Sequence, residues 1–83
     1  MDVQNEVLNI LDEALGLYGR AATMDRDSPL LGAVPELDSI AVVRVITTLE
    51  DRFGFMIADD DLDASSFATV GALADFVRSK LAG

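Results

Sequence analysis

The sequence predicts an all-α fold: a small four-helix bundle of three main helices and one short helix, with a long loop between helices 1 and 2. Three observations carry this reading. Apolar residues recur at helical spacing in three separate stretches. Each stretch opens on Asp or Thr, residues suited to accept hydrogen bonds from the free N–H groups of a helix start. With 83 residues, 51% of them hydrophobic, the chain can build one modest core, so residues 1–83 are expected to form a single domain.

The first helix is expected over residues 3–17, with Val3, Val7, Leu8, Leu11, Ala14 and Leu15 on one face and Asp2 as its N-cap. Gly16 and Gly19 weaken its end and let the chain turn. Residues 19–37 show no sustained periodicity and contain Asp25-Arg26-Asp27-Ser28-Pro29 and Gly32. They read as a loop longer than the usual connection between bundled helices, and such loops are commonly functional. Leu30, Leu31, Val34 and Leu37 are expected to pin it to the core.

The second helix is expected from Ser39 to Phe53, capped by Asp38 and ended by Gly54. Its buried stripe reads Val42 or Val43, Ile46, Leu49 and Phe53. Phe55-Met56-Ile57 makes an apolar crossing. Asp59-Asp60-Asp61 then opens the short helix, which carries Leu62, and Phe67 inserts after it. Thr69 caps a final helix through Val70, Leu73, Ala74, Phe76, Val77 and Leu81.

Composition excludes several kinds of chemistry. Without cysteine there is neither a disulfide nor a thiol nucleophile. Without histidine the chain lacks the usual general base and the usual activator of a serine, so it cannot assemble a Ser-His-Asp triad by itself. A net charge of −9 repels nucleic acid and favours docking onto basic protein surfaces, besides promoting solubility. Acids interrupt the apolar positions near the N-terminus, no basic stretch precedes them, and no apolar run approaches the ~20 residues of a membrane span. The expectation is a soluble, cytoplasmic protein without membrane insertion.

One position stands out against this background. Ser39 follows Asp38 at the start of the second helix, where unsatisfied N–H groups and a partial positive charge suit a phosphate. Three readings of it remain open: a local capping residue, a catalytic nucleophile, or the acceptor of a group installed by another enzyme. The nucleophile reading needs a base, and the nearby Glu36 and Asp38 are poor bases toward a hydroxyl unless their pKa is strongly raised. The acceptor reading asks only for exposure, a helix start and recognisable flanks.

The chain resembles an acyl carrier protein from its first helix to its last. Leu37-Asp38-Ser39-Ile40 resembles the family's Asp-Ser-Leu phosphopantetheine attachment motif, with isoleucine in place of leucine. Leu49-Glu50-Asp51-Arg52-Phe53-Gly54 is similar to the close of the family's second helix, Asp59-Asp60-Asp61 to the acidic start of its third, and Thr69 to Val77 to its last. The resemblance implies a carrier and not an enzyme. Ser39 would bear 4′-phosphopantetheine covalently, and Asp38 would serve as cap and motif residue. An acyl intermediate would travel on the arm as a thioester.

The implied partners are a phosphopantetheinyl transferase (the holo-carrier synthase) and acyl-activating ligases, acyltransferases or synthases of a fatty-acid-like, polyketide-like or other specialised pathway. Glu36, Ile40, Arg44, Glu50 and Asp51 would face them on a monomeric carrier. Fatty-acid-synthesis carriers typically place acids two and five residues after the modified serine, where this chain has Ala41 and Arg44. Peptidyl carriers usually show glycine and histidine just before it, where this chain has Leu37 and Asp38. A specialised carrier therefore fits better than either. The alternatives are an unmodified helical interaction module, or a peptidyl or aminoacyl carrier of a nonribosomal pathway.

No metal is expected. Asp59, Asp61 and Asp63 resemble the opening of a calcium loop, but Ala64 and Val70 stand where glycine and glutamate are required. Asp25 and Asp27 flank a turn. Phe53, Phe55, Phe67 and Phe76 read as core, and some of them are candidates to line an acyl cavity between helices.

Overall fold

Capping residues set the limits of the three helices. In the computed structural model, which describes residues 2–58, 61 and 64–82, the Asp2 carboxylate accepts from the Asn5 N–H at 3.3 Å and opens α1 (Val3–Leu15). Asp38 opens α2 (Ser39–Phe53). The Thr69 hydroxyl accepts from the Ala72 N–H at 3.0 Å at the start of α3 (Val70–Ala82). Gly54 ends α2 at φ 73°, a left-handed conformation that costs glycine nothing sterically. α1 stops at Leu15, two residues sooner than periodicity predicts, because Gly16 turns left-handed and Leu17 leaves the helix for the core.

Among the described residues two 3-10 turns join the helices, Arg20–Thr23 inside the long connection and Ala64–Phe67 before α3. The expected short helix is represented by this second turn. Its predicted opening at Asp59 and Asp60 and its apolar residue Leu62 lie outside the described residues. No strand occurs among the described residues.

α1 packs against both other helices and supplies the centre of the core. Val7, Ile10 and Leu11 of α1 meet Val45 and Leu49 of α2 and Val70, Leu73, Ala74 and Val77 of α3, all buried. Phe67 inserts beside them, as expected. The register of α2 differs from the expected stripe by about one residue. Ala41, Val45 and Leu49 face inward, while Val42, Ile46 and Phe53 are half-buried at the margin and Val43 is 60% exposed. Ile57 and Phe76, like Phe55, pack half-buried against the core, and the Phe53 and Phe55 rings stack with centroids 5.8 Å apart.

The long connection is stitched down rather than loose. Leu17, Ala21, Leu30, Val34 and Leu37 are buried, whereas Leu31 is exposed, contrary to expectation. The Asp12 carboxylate accepts from the N–H groups of Gly19 at 2.9 Å and Ala21 at 3.2 Å, which fixes the first 3-10 turn. Further along, Leu30 N–H donates to Ala68 O, Val70 N–H to Ser28 O and Gly71 N–H to Arg26 O. The Arg26 guanidinium pairs with both carboxylate oxygens of Asp75, and that hydrogen-bonded pair holds the Asp75 carboxyl below its usual range. Gly71 is required here, since a Cβ at that site would stand 2.9 Å from Arg26 O.

The observed register gives a direct check. Leu49→Ala is expected to cost about 2–5 kcal/mol, the usual range for a buried Leu truncated to Ala. Ile40→Ala, on the outer face, should stay within about 0.5 kcal/mol. Urea denaturation of both variants measures the difference, and equal losses would contradict the placement of α2.

Candidate functional site

The start of α2 is fixed from both sides. On the N-terminal side, Leu37 is buried and its N–H donates to Val34 O, which anchors the chain just before the helix. Asp38 then adopts extended backbone, its carboxylate accepts from the Ala41 N–H at 2.8 Å, and its carbonyl accepts from the Val42 N–H at 2.9 Å. This is the capping role expected of Asp38. Ser39 is the first residue of α2 and is exposed. The N–H groups of Ser39 and Ile40 have no acceptor among the described residues, so two donors and the positive end of the helix stand beside the hydroxyl.

Neither acid beside Ser39 is disposed as a base toward it. Asp38 is committed to the cap. Glu36 pairs with the Arg20 guanidinium, whose Nε also donates to Leu17 O at 3.2 Å, and the hydrogen bond from Arg20 holds the Glu36 carboxyl below its usual range. A lowered pKa makes a weaker base, so the geometry opposes a nucleophilic role for Ser39. The Arg20–Glu36 link spans sixteen positions, and no local pattern in the chain announces it. Glu36 Oε1 is shielded from solvent, and the backbone N–H of Glu36 itself is a further cause of the lowered pKa.

The other residues singled out on α2 divide by role. Ile40 is 68% exposed and, with the exposed Val43, forms an apolar strip on the outer face. Asp51 is exposed. Glu50 is turned to structure, because its Oε2 accepts from the Ile57 N–H at 2.8 Å and holds the segment after α2. Arg44 is exposed and, alone among the six Lys and Arg residues, has no ion pair among the described residues.

Below the start of α2 a groove of about 420 Å³ opens between Ala14 and Leu15 of α1 and Glu36, Ile40, Ala41 and Arg44. Residues from α1 were not legible as part of a site, because only the packing of α1 against α2 brings them there. No group of three or more His, Cys, Asp or Glu side chains suited to a metal occurs among the described residues. No described helix is long and apolar enough to cross a membrane.

Two comparisons bear on this arrangement. Residues 5–77 match the family model described as a phosphopantetheine attachment site. The chain is also similar to a holo acyl carrier protein from Nitrosomonas europaea solved by solution NMR. The two are 48% identical, the similarity covers 100% of both chains, and the structures superpose with a TM-score of 0.92.

The cap is testable by itself. Asp38→Ala should lower stability by about 0.5–2 kcal/mol, whereas Asp38→Asn should recover most of that loss because its side-chain oxygen still accepts from the Ala41 N–H. Thermal and urea unfolding measure both variants; a neutral Asp38→Ala would contradict the capping role.

Proposed function

Because the chain belongs to the acyl carrier proteins, the family defined by phosphopantetheine attachment, we propose that Ser39 is its attachment residue and that its 83 residues act as one carrier domain. The protein is a carrier and not an enzyme. Its covalent 4′-phosphopantetheine supplies the thiol that a cysteine-free chain lacks, on an arm able to present an acyl group as a thioester.

The observation that carries the assignment to Ser39 is its exposed position at a helix start with two unpaired N–H donors. A phosphodiester keeps a negative charge, and this end of α2 favours it. Two of the other serines are less suited. The Ser28 hydroxyl is engaged with Asp25, and Ser79 lies in the last turn of α3, where the exposed carbonyls disfavour an anion. Ser39 and Asp38 therefore fit the group: the first offers the hydroxyl, the second holds the helix start open toward solvent without covering it.

The partners implied are a phosphopantetheinyl transferase and enzymes that load or receive acyl groups. The outer face of α2 is their docking element in this reading, with Ile40 and Val43 as apolar contacts and Asp51 contributing to the acidic field. Arg44 favours partners that carry an acid opposite it, because it is unpaired among the described residues and a like charge across an interface costs affinity. That selectivity supports a specialised carrier, loaded by a dedicated acyl-activating ligase, over one serving a generic fatty acid synthase.

Incubation with coenzyme A, magnesium and a phosphopantetheinyl transferase should add one phosphopantetheine to the wild type and none to Ser39→Ala, read by intact-protein mass. A modified Ala variant, or a wild type refractory to several transferases, would overturn the assignment. For the partner reading, Arg44→Glu should lower turnover by the dedicated ligase and raise it with a fatty acid synthase component. Unchanged turnover with both would remove Arg44 as a specificity determinant. Melting would not separate the outcomes, since an exposed charge contributes little to stability.

A further inference from the structure

We propose that Tyr18 is an anchor for the phosphopantetheinyl transferase, its ring entering an apolar slot on that enzyme edged by a Lys or Arg, a reading that rests on attachment at Ser39.

The first argument is a conformational cost that nothing inside the molecule offsets. Tyr18 adopts φ 53°, and it alone among the described non-glycine residues has a positive φ. A residue with a Cβ is strained in that left-handed region, where glycine is not. Gly16 and Gly19 beside it also take positive φ, and they do so without penalty. Packing could justify a large ring here, yet Tyr18 is 98% exposed. Strain kept at such a position points to a function outside the fold.

The second argument is that the ring stands on a fixed base. Leu17 before it is buried, and its N–H donates to Asp12 O at 3.0 Å. After it, the Gly19 N–H donates to the Asp12 carboxylate at 2.9 Å, and the Arg20 N–H and Nε both donate to Leu17 O. With the backbone tied down on both sides, binding has only the two side-chain torsions of Tyr18 left to order. Aromatic side chains presented in this way lose little entropy on association, and Tyr is among the residues that dominate interface affinity.

Position and charge identify the partner. Gly16 lines the same groove as Asp38 and Ile40, and Arg20 pairs with Glu36, so Tyr18 lies between two residues that adjoin the surroundings of Ser39. An acyl-loading enzyme can reach its cargo through the length of the arm. The transferase cannot, because no arm exists until it has acted, and its active site must close on the Ser39 hydroxyl itself. A specific interface covers about 800 Å² of each partner. That is comparable with one whole end of a molecule measuring 30 × 27 × 21 Å, and so takes in Tyr18. With a net charge of −9 on the carrier, the complementary face is basic, and a Lys or Arg over the ring adds cation–π attraction.

The test is steady-state loading of the full chain by the native host's transferase with coenzyme A and magnesium. The Ser39 oxygen takes the phosphopantetheinyl group, its proton goes to solvent, and the 3′,5′-bisphosphoadenosine released reports KM and kcat. Tyr18→Gly should raise KM about tenfold, the loss of an interface anchor, and leave kcat within about twofold. Its melting temperature should equal or exceed that of the wild type, since glycine is unstrained there. Tyr18→Phe should keep most of the wild-type KM. Met56→Ala, which trims an exposed side chain beyond the far end of α2, should leave KM unchanged. An unchanged KM for Tyr18→Gly would overturn this proposal alone, and so would a lowered melting temperature, which would make Tyr18 structural. Self-association seen by sedimentation and lost in Tyr18→Gly at unchanged KM would assign the ring to a second copy of the chain instead. A wild type that is not modified at Ser39 would overturn the attachment reading, and this proposal with it.

Discussion

The buried aliphatic side chains of the first connection are the constraint on which the rest depends. Leu17 and Leu30 are removed from solvent, and Val34 and Leu37 nearly so, along a segment with little regular structure of its own. Burial of each such side chain is worth about 1.5–3 kcal/mol. The ion pairs that accompany them, the partly exposed Arg20–Glu36 and the exposed Arg26–Asp75, contribute roughly 0–1 kcal/mol each. The apolar anchors therefore hold the connection, and the ion pairs set its direction. Since Leu37 is the last anchor before Asp38, the start of α2 is held at one place relative to the core, and Ser39 faces solvent from a fixed base.

α2 consequently serves two surfaces with one helix. Ala41, Val45 and Leu49 close the core, so their replacement acts through folding. Ile40, Val43, Arg44 and Asp51 point outward, so in the proposed reading their replacement acts through recognition. Glu36 and Glu50, which look like docking acids by sequence position, are drawn into internal hydrogen bonds with Arg20 and Ile57. The negative charge of the chain still gives a long-range attraction to basic surfaces, while Arg44 gives that attraction local contrast.

Much of this was legible in the chain because it is locally determined. Asp2, Asp38, Gly54 and Thr69 act within a few residues of themselves, and each does at its helix end what its chemistry implies. The register of α2 was less legible. Ile40, Ala41, Val42, Val43, Val45 and Ile46 are apolar almost all round the helix, so periodicity cannot choose the inner face, and packing against α1 selects the small Ala41 with Val45. The 3-10 turn at Arg20–Thr23 was invisible because the Asp12 carboxylate that holds it sits on α1. Ser39 and its cap were legible at the site; the α1 wall of the groove and the Arg20–Glu36 link were not, since both are products of tertiary packing.

In the proposed reading this fold serves to display one modified serine, Ser39. Peptide-level mass spectrometry of the protein isolated from its native host tests it most directly, because it reads both the group and its position without a chosen transferase. A phosphopantetheine, with or without acyl cargo, is expected on the peptide containing Ser39 and nowhere else. A functional native protein with Ser39 unmodified, or with the group on another residue, would contradict it.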